Sequence, residues 1–394
     1  MGKELLIRLK RRLDRFTHDQ NLYLSLVSLG VGAIAAFAAV IFRESIVVIQ
    51  ILFEDLSQIK FPSLFDSYLT WFVVLPPVVG GLLVGIIIKN FTKNDRASGV
   101  AEVIEASAIS GGKMPLKEGL ISALASVLSI GCGASVGREG PAVQLGATLA
   151  SSLGSFFKLD RTQCRILLGA GAASAVAASF NAPFAGVFFA HEVIIGHYAL
   201  TAFAPVAVAA IIGTVISRLY FGDFPAFTLA GHEIESFFEL PAFAVLGVAC
   251  AVASIILIRL VPITQNMYRH FRIPRWSAPI FGGLILGLFA MWCPEIMGVG
   301  YEATNKALNE DYGLGVLLTL LIMKLIATIV SLGSGFVGGV FSPSLFMGAM
   351  LGGAFGIIVS WPFPDLASSI GSYSITGMGA MAAAVLGAPI STTI

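Results

Sequence analysis

Charge is missing from four long stretches of this chain. Leu22–Phe42 runs 21 residues without a charged side chain, Ile166–Ala190 runs 25, Leu325–Pro364 runs 40, and Leu366–Ile394 carries none. A helix needs about 20 apolar residues to cross a bilayer, so the first stretch predicts one spanning helix. The 40-residue stretch is too long for one helix and too interrupted by glycine for two regular ones. Nowhere does the chain show the alternation that a transmembrane barrel requires. The pattern predicts an all-α polytopic membrane protein in which several helices are broken.

Residues 1–20 differ. Lys3, Arg8, Lys10, Arg11, Arg12 and Arg15 alternate with Leu5, Leu6, Leu9 and Leu13 near helical spacing. This predicts a basic amphipathic helix on the cytoplasmic membrane surface. A signal-peptide start fits less well, because the following apolar run is too long and no small-residue cleavage site follows. The positive charge places the N-terminus in the cytoplasm, and the cell (inner) membrane is the expected location.

Composition agrees with the pattern: 56% of residues are hydrophobic and 12% charged, where a soluble domain is about one-quarter charged. A net charge of +1 excludes a nucleic-acid partner, which needs clustered basic surface. Cys132, Cys164, Cys250 and Cys293 are scattered without zinc-type spacing, so neither a metal nor a cofactor is expected.

An internal repeat explains the glycines. When "GCGASVGREGPAVQLGA" is laid over "GSGFVGGVFSPSLFMGA", Gly131, Gly133, Gly137, Pro141 and Gly146 meet Gly333, Gly335, Gly339, Pro343 and Gly348, each 202 positions on. A second match at an offset of 206 pairs Gly171, Ala182 and Pro183 with Gly377, Ala388 and Pro389. The chain therefore divides into residues 21–225 and 226–394. Each half carries a Gly-rich turn, a proline and then an apolar helix. Proline suits a first helical turn, so both stretches are read as helix N-termini reached through irregular backbone. At membrane depth such backbone survives only where protein or a cavity surrounds it. Two N-termini aimed at one point form an anion site without a full cation. Small-residue packing between helices is the competing reading, but it gives no reason for Glu139 at membrane depth.

At this point the motifs are informative together. "RASGVAE" (96–102), "GREGP" (137–141) and "GVFSP" (339–343) resemble, in order, the three signature stretches of the CLC chloride channel and transporter family, and "FNAPFAGVFFAHE" (180–192) resembles the helix after the first of its cores. The resemblance runs from about residue 22 to the end. It implies an inverted repeat of broken, tilted helices, a homodimer, and one anion path per subunit. By the same resemblance Ser98 and Gly99, with the backbone amides of Val340 and Phe341, bind chloride, and Glu139 is the gate. Gly137, Arg138, Gly140, Pro141, Gly339 and Pro343 shape the path, with Arg138 structural rather than a ligand. Ser98, Glu139 and the two amides are expected to converge near mid-membrane. When ionised, Glu139 would compete with chloride; when protonated, it would leave the site. Phe341 stands where the repeat would put a partner for Glu139, so the scaffold does not itself demand a carboxylate.

Two departures from the family pattern stand out. Exchangers of the family usually carry a second glutamate where this chain has Val193, with Glu192 one position earlier. A tyrosine completing the anion site is expected just beyond Ile394, so the second half reads as C-terminally incomplete, and residues 1–394 carry no CBS-domain sequence. These features favour a passive or weakly coupled chloride channel, with a chloride/proton antiporter as the alternative. An intramembrane enzyme is a different class of reading: "HEVIIGH" (191–197) is not HExxH and no catalytic pair is evident, so no enzyme is expected. A non-transporting assembly subunit leaves Glu139 unexplained. His191 is read as a cavity or interface residue, and Glu102 and Glu105 as facing a vestibule or pairing with a base.

Overall fold

The computed structural model describes residues 20–57, 73–92, 97, 99–227, 239–362 and 368–394. The basic N-terminal stretch and Ser98 lie outside these residues. Among the described residues fifteen α-helices follow one another: α1 (Gln20–Ser57), α2 (Leu75–Phe91), α3 (Val100–Ala108), α4 (Leu116–Gly131), α5 (Glu139–Phe156), α6 (Arg161–Phe180), α7 (Pro183–Phe189), α8 (Leu200–Phe221), α9 (Leu240–His270), α10 (Ala278–Ala290), α11 (Tyr301–Leu308), α12 (Leu314–Ser334), α13 (Phe341–Ser360), α14 (Ile370–Leu386) and α15 (Pro389–Thr393). A π-helical turn, Ala190–Ile195, prolongs α7. Among the described residues six helices, α1, α6, α8, α9, α12 and α13, are long and apolar enough to cross a membrane.

The charge-free stretches break where the local chemistry requires it. Between Ile166 and Ala190, α6 stops at Asn181 in the left-handed conformation (φ 57°), and α7 restarts with Pro183 in its first turn. The 40-residue stretch breaks at Gly335 (φ 106°) and restarts at Phe341. Glycine and asparagine tolerate that conformation, and proline favours the first turn. The first expected span proves longer: α1 continues past Phe42 to Ser57. Arg43 does not end it, because its guanidinium rests 3.9 Å from the centroid of the Phe221 ring in α8.

The two halves make the same close approaches twice. α2 crosses α10 so tightly that a Cβ on Gly81 would lie 2.3 Å from the Pro279 carbonyl oxygen, and one on Gly283 would lie 2.2 Å from that of Pro77. Both relations carry the 202 offset, and they extend the repeat to "PPVVGG" and "APIFGG". α5 meets α6 through Gly146 at the Gly171 carbonyl (2.5 Å for a built Cβ), and α13 meets α14 through Gly348 at the Gly377 carbonyl (2.4 Å). Helix backbones in lipid associate through such small-residue contacts. Gly283→Val is therefore expected to destabilise the fold by about 1–3 kcal/mol through overpacking, and Gly81→Val by a similar amount. Gly247→Val, where a Cβ meets nothing within 4 Å, should leave the unfolding temperature in detergent unchanged. Equal melting of all three variants would contradict this packing.

Candidate functional site

Between α4 and α5 the backbone leaves the helix at Gly133 (φ 94°) and re-enters it at Glu139. Between α12 and α13 it leaves at Gly335 and re-enters at Phe341. These two irregular segments satisfy each other's polar groups. The Gly137 amide donates to the Gly339 carbonyl at 2.7 Å, and the Gly339 amide donates to the Gly137 carbonyl at 2.7 Å. Two side-chain bonds repeat the exchange: the Val337 amide donates to Ser129 Oγ at 3.0 Å, and the Ser135 amide donates to Ser331 Oγ at 3.1 Å. The two donors, Ser135 and Val337, and the two acceptors, Ser129 and Ser331, are again each 202 positions apart. Non-helical backbone can thus sit inside the protein with its hydrogen bonds made.

This mutual pairing brings the N-termini of α5 and α13 together. Glu139 and Phe341 each occupy the first helical position. The Glu139 side chain is buried, 3% exposed, and it reaches across to the other half instead of capping its own turn. Oε2 accepts a hydrogen bond from Ser342 Oγ in the first turn of α13. Oε1 accepts one from Tyr301 Oη at 2.6 Å. Arg138 Nε lies 3.6 Å from Oε1, and its guanidinium lies 4.8 Å from the Tyr301 ring centroid. The Phe227 ring packs on the same tyrosine at 5.1 Å. A carboxylate is therefore held where α13 presents free amides and a partial positive charge. Gly137 permits this arrangement, since a Cβ there would lie 2.9 Å from Glu139 Oε2 and 3.0 Å from the Ser342 amide nitrogen.

A cavity of about 530 Å³ opens beside this pair of helix ends, lined by Gly99, Glu139, Gly140, Pro141, Gly339, Val340 and Phe341 among others. Pro343 is buried in the first turn of α13. Phe341 is half-buried, its ring 5.1 Å from that of Phe180. Gly99 differs from the expectation of an amide offered to an anion: it donates to Glu102 Oε2 at 2.6 Å. The reason is local, since a glutamate in the first turn of α3 folds back onto that helix end.

The chain has been compared with known proteins. The family described as "Voltage gated chloride channel" matches residues 80–394. A putative chloride channel protein, ClcB-like, from Ralstonia nicotianae is 31% identical over 368 residues, covering 92% of this chain and 86% of the relative. The chain belongs to the CLC family. The voltage-gated ClC-type chloride channel ClcB of Escherichia coli (strain K12 / DH10B) is 28% identical over 375 residues, covering 94% of this chain and 88% of the relative. Among solved structures, a slow cyanobacterial Cl-/H+ antiporter superposes with a TM-score of 0.84 at 24% identity, covering 94% of this chain and 87% of that one. A CLC-type fluoride/proton antiporter gives 0.75 at 24% identity, covering 94% and 88%. These superpositions establish the CLC fold of broken helices.

Within that fold Val193 sits among apolar neighbours. Val193 packs, half-buried, against the apolar cluster that contains Val103, Val143, Leu168 and Val176. Glu192 is turned to the N-terminus of α15, where its oxygens accept from the amides of Ile390 (3.0 Å) and Ser391 (2.9 Å). His191 is fully buried between the rings of Tyr198 and Phe203, at 5.8 and 5.7 Å, and Nδ1 lies 3.0 Å from the His197 carbonyl oxygen. Glu102, itself exposed, accepts from the Gly99 amide. Among the described residues no group of three or more His, Cys, Asp or Glu could hold a metal ion. The sequence reading missed Tyr301 entirely and took no account of the Ser342 hydroxyl, although Ser342 lies inside the quoted "GVFSP".

Proposed function

We propose that this CLC-family protein carries chloride across a membrane through the cavity at the facing ends of α5 and α13, with Glu139 as its gate. One observation carries the proposal: a buried carboxylate from one half is bound by two hydroxyls of the other half, Ser342 at the N-terminus of the matching helix α13 and Tyr301 at the start of α11. A tethered anion thus occupies ground suited to a free one. Displacing it by protonation would open the path. The names of the relatives, chloride channels in two bacteria, support the same substrate. Ser98, Gly99 and the amides of Val340 and Phe341 are the proposed anion ligands, Gly99 after release from Glu102. Gly137, Arg138, Gly140, Pro141, Gly339 and Pro343 hold the shape of the path. Arg138 is a fixed cation beside the gate.

The proposal extends to organisation. Residues 21–225 and 226–394 form the two halves, the N-terminus faces the cytoplasm of a cell (inner) membrane, and the working unit is a homodimer. The finer mechanism is a passive or weakly coupled channel, on the strength of Val193. Chloride/proton antiport is the second reading, favoured by the printed titles of the superposed structures. Chloride release from liposomes holding the purified protein tests transport itself, and absence of chloride flux would overturn the proposal.

Tyr301→Phe gives a graded test. The hydroxyl donates to the Glu139 carboxylate, so it holds the gate in its closed position. Its removal is expected to move the pH of half-maximal flux upward by about one unit, as fits the loss of a hydrogen bond to a charged group. An unchanged profile would mean that Tyr301 does not hold the closed gate.

A further inference from the structure

α12 carries one charged residue in its 21 positions, Lys324, and that residue is fully buried. A lysine inside a membrane helix is expensive and usually has a specific partner. Among the described residues Lys324 has no carboxylate partner. Its Nζ donates to two backbone carbonyls of one loop, Ile296 at 2.9 Å and Gly298 at 2.8 Å, and lies 5.0 Å from the Phe346 ring centroid. That loop ends at Gly300 (φ 84°), where a Cβ would come within 3.3 Å of the ammonium. The next residue is Tyr301, which donates to Glu139.

The same face of α12 also holds the gate's own turn. One helical turn beyond Lys324, Thr328 Oγ1 lies 3.2 Å from Ser135 Oγ, and Ser331 follows, accepting from the Ser135 amide. The two loops are joined directly, since the Gly298 amide donates to the Gly133 carbonyl at 3.1 Å. α12 therefore sets the separation between the segment leading to Glu139 and the segment leading to Tyr301.

We propose that Lys324 is a positioning residue for the gate: by clamping the 296–300 loop it holds the Tyr301 hydroxyl on Glu139. The inference rests on Glu139 being the gate. Other charged groups around the carboxylate stay constant when Lys324 is changed. Arg138 adjoins it, and Arg43 of α1 shares a small pocket with Arg138. α13 has no charged residue, Glu102 of α3 caps Gly99, and Arg165 of α6 lies near the Ile195 carbonyl.

The test is the pH profile of chloride flux in liposomes for Lys324→Met, Tyr301→Phe and the double variant, each made with Glu139 and with Glu139→Gln. Lys324→Met should move the half-activation pH upward by about one unit, matching Tyr301→Phe, and the double variant should move it no further. With Glu139→Gln in place, Lys324→Met should leave flux as it is. Lys324→Arg should keep a profile nearer wild type. Should Lys324→Met fail to assemble, Lys324→Gln, neutral but still an N–H donor for one carbonyl, should give a smaller shift in the same direction. An unshifted profile, shifts that add in the double variant, or an equal loss of flux in both Glu139 backgrounds would overturn the proposal. If wild type itself passes no chloride, or Glu139→Gln leaves the pH response intact, the gating reading fails and this inference falls with it. If both behave as expected and Lys324 alone has no effect, only this inference fails.

Discussion

Chloride flux through Glu139→Gln is expected to lose its dependence on pH and to stay high at alkaline pH. The ionised carboxylate is drawn to the N-terminus of α13 by the helix field, an attraction of about 0.3–2 kcal/mol, and is held there by Ser342 and Tyr301. A glutamine can accept from the same hydroxyls, but it carries no charge to compete with an anion. Two pH units above its midpoint a carboxyl is protonated roughly 1% of the time. If only the protonated gate conducts, the variant should exceed wild type by up to about a hundredfold there, and by little under acid conditions. Glu139→Ala, which removes the side chain altogether, should behave the same way. A variant that retained a wild-type pH response would show that the carboxylate is a structural link between the halves.

Much of the architecture around that carboxylate was readable from glycine and proline alone. The 202-residue offset identified Gly137 and Gly339, which turn out to be hydrogen-bonded to each other. Turn-forming residues are set by local backbone demands, so their spacing survives in the chain as a pattern. The offset also extends to Gly81 and Gly283, but these lie inside ordinary apolar helices, where nothing local marks a crossing. The partners of Glu139 were harder to see. Tyr301 lies 162 positions away, at the start of an eight-residue helix too short to show a period. Ser342 lay in a motif examined for its amides, so its hydroxyl went unconsidered. Lys324 could have been noticed, since a lone lysine in an apolar helix is itself a signal. The charge-free stretch was counted from Leu325, one residue later. At Gly99 the motif suggested an anion ligand, and the competition from Glu102 became visible only in three dimensions.

A chloride gradient imposed across liposomes is expected to drive no stoichiometric movement of protons through this protein. Coupled exchange requires protons to reach Glu139 from the cytoplasmic side by a route separate from the anion's, and a buried carboxylate or histidine is the usual relay. The residue at the expected relay position and the two before it are each committed otherwise. Val193 has no titratable group and packs among apolar side chains of α3, α5 and α6. Glu192 binds two amides at the start of α15, so both of its oxygens are engaged there. His191 is enclosed by two aromatic rings, with Nδ1 directed at the His197 carbonyl oxygen. The measurement is external pH recorded while chloride runs down its gradient, with valinomycin and potassium setting the voltage. A flat trace alongside large chloride efflux fits the channel reading. Uphill proton movement at a fixed ratio to chloride would establish antiport instead. Repeating the trace with Glu192→Gln would then separate a relay through that carboxylate, which should abolish the proton signal, from a path through water, which should preserve it.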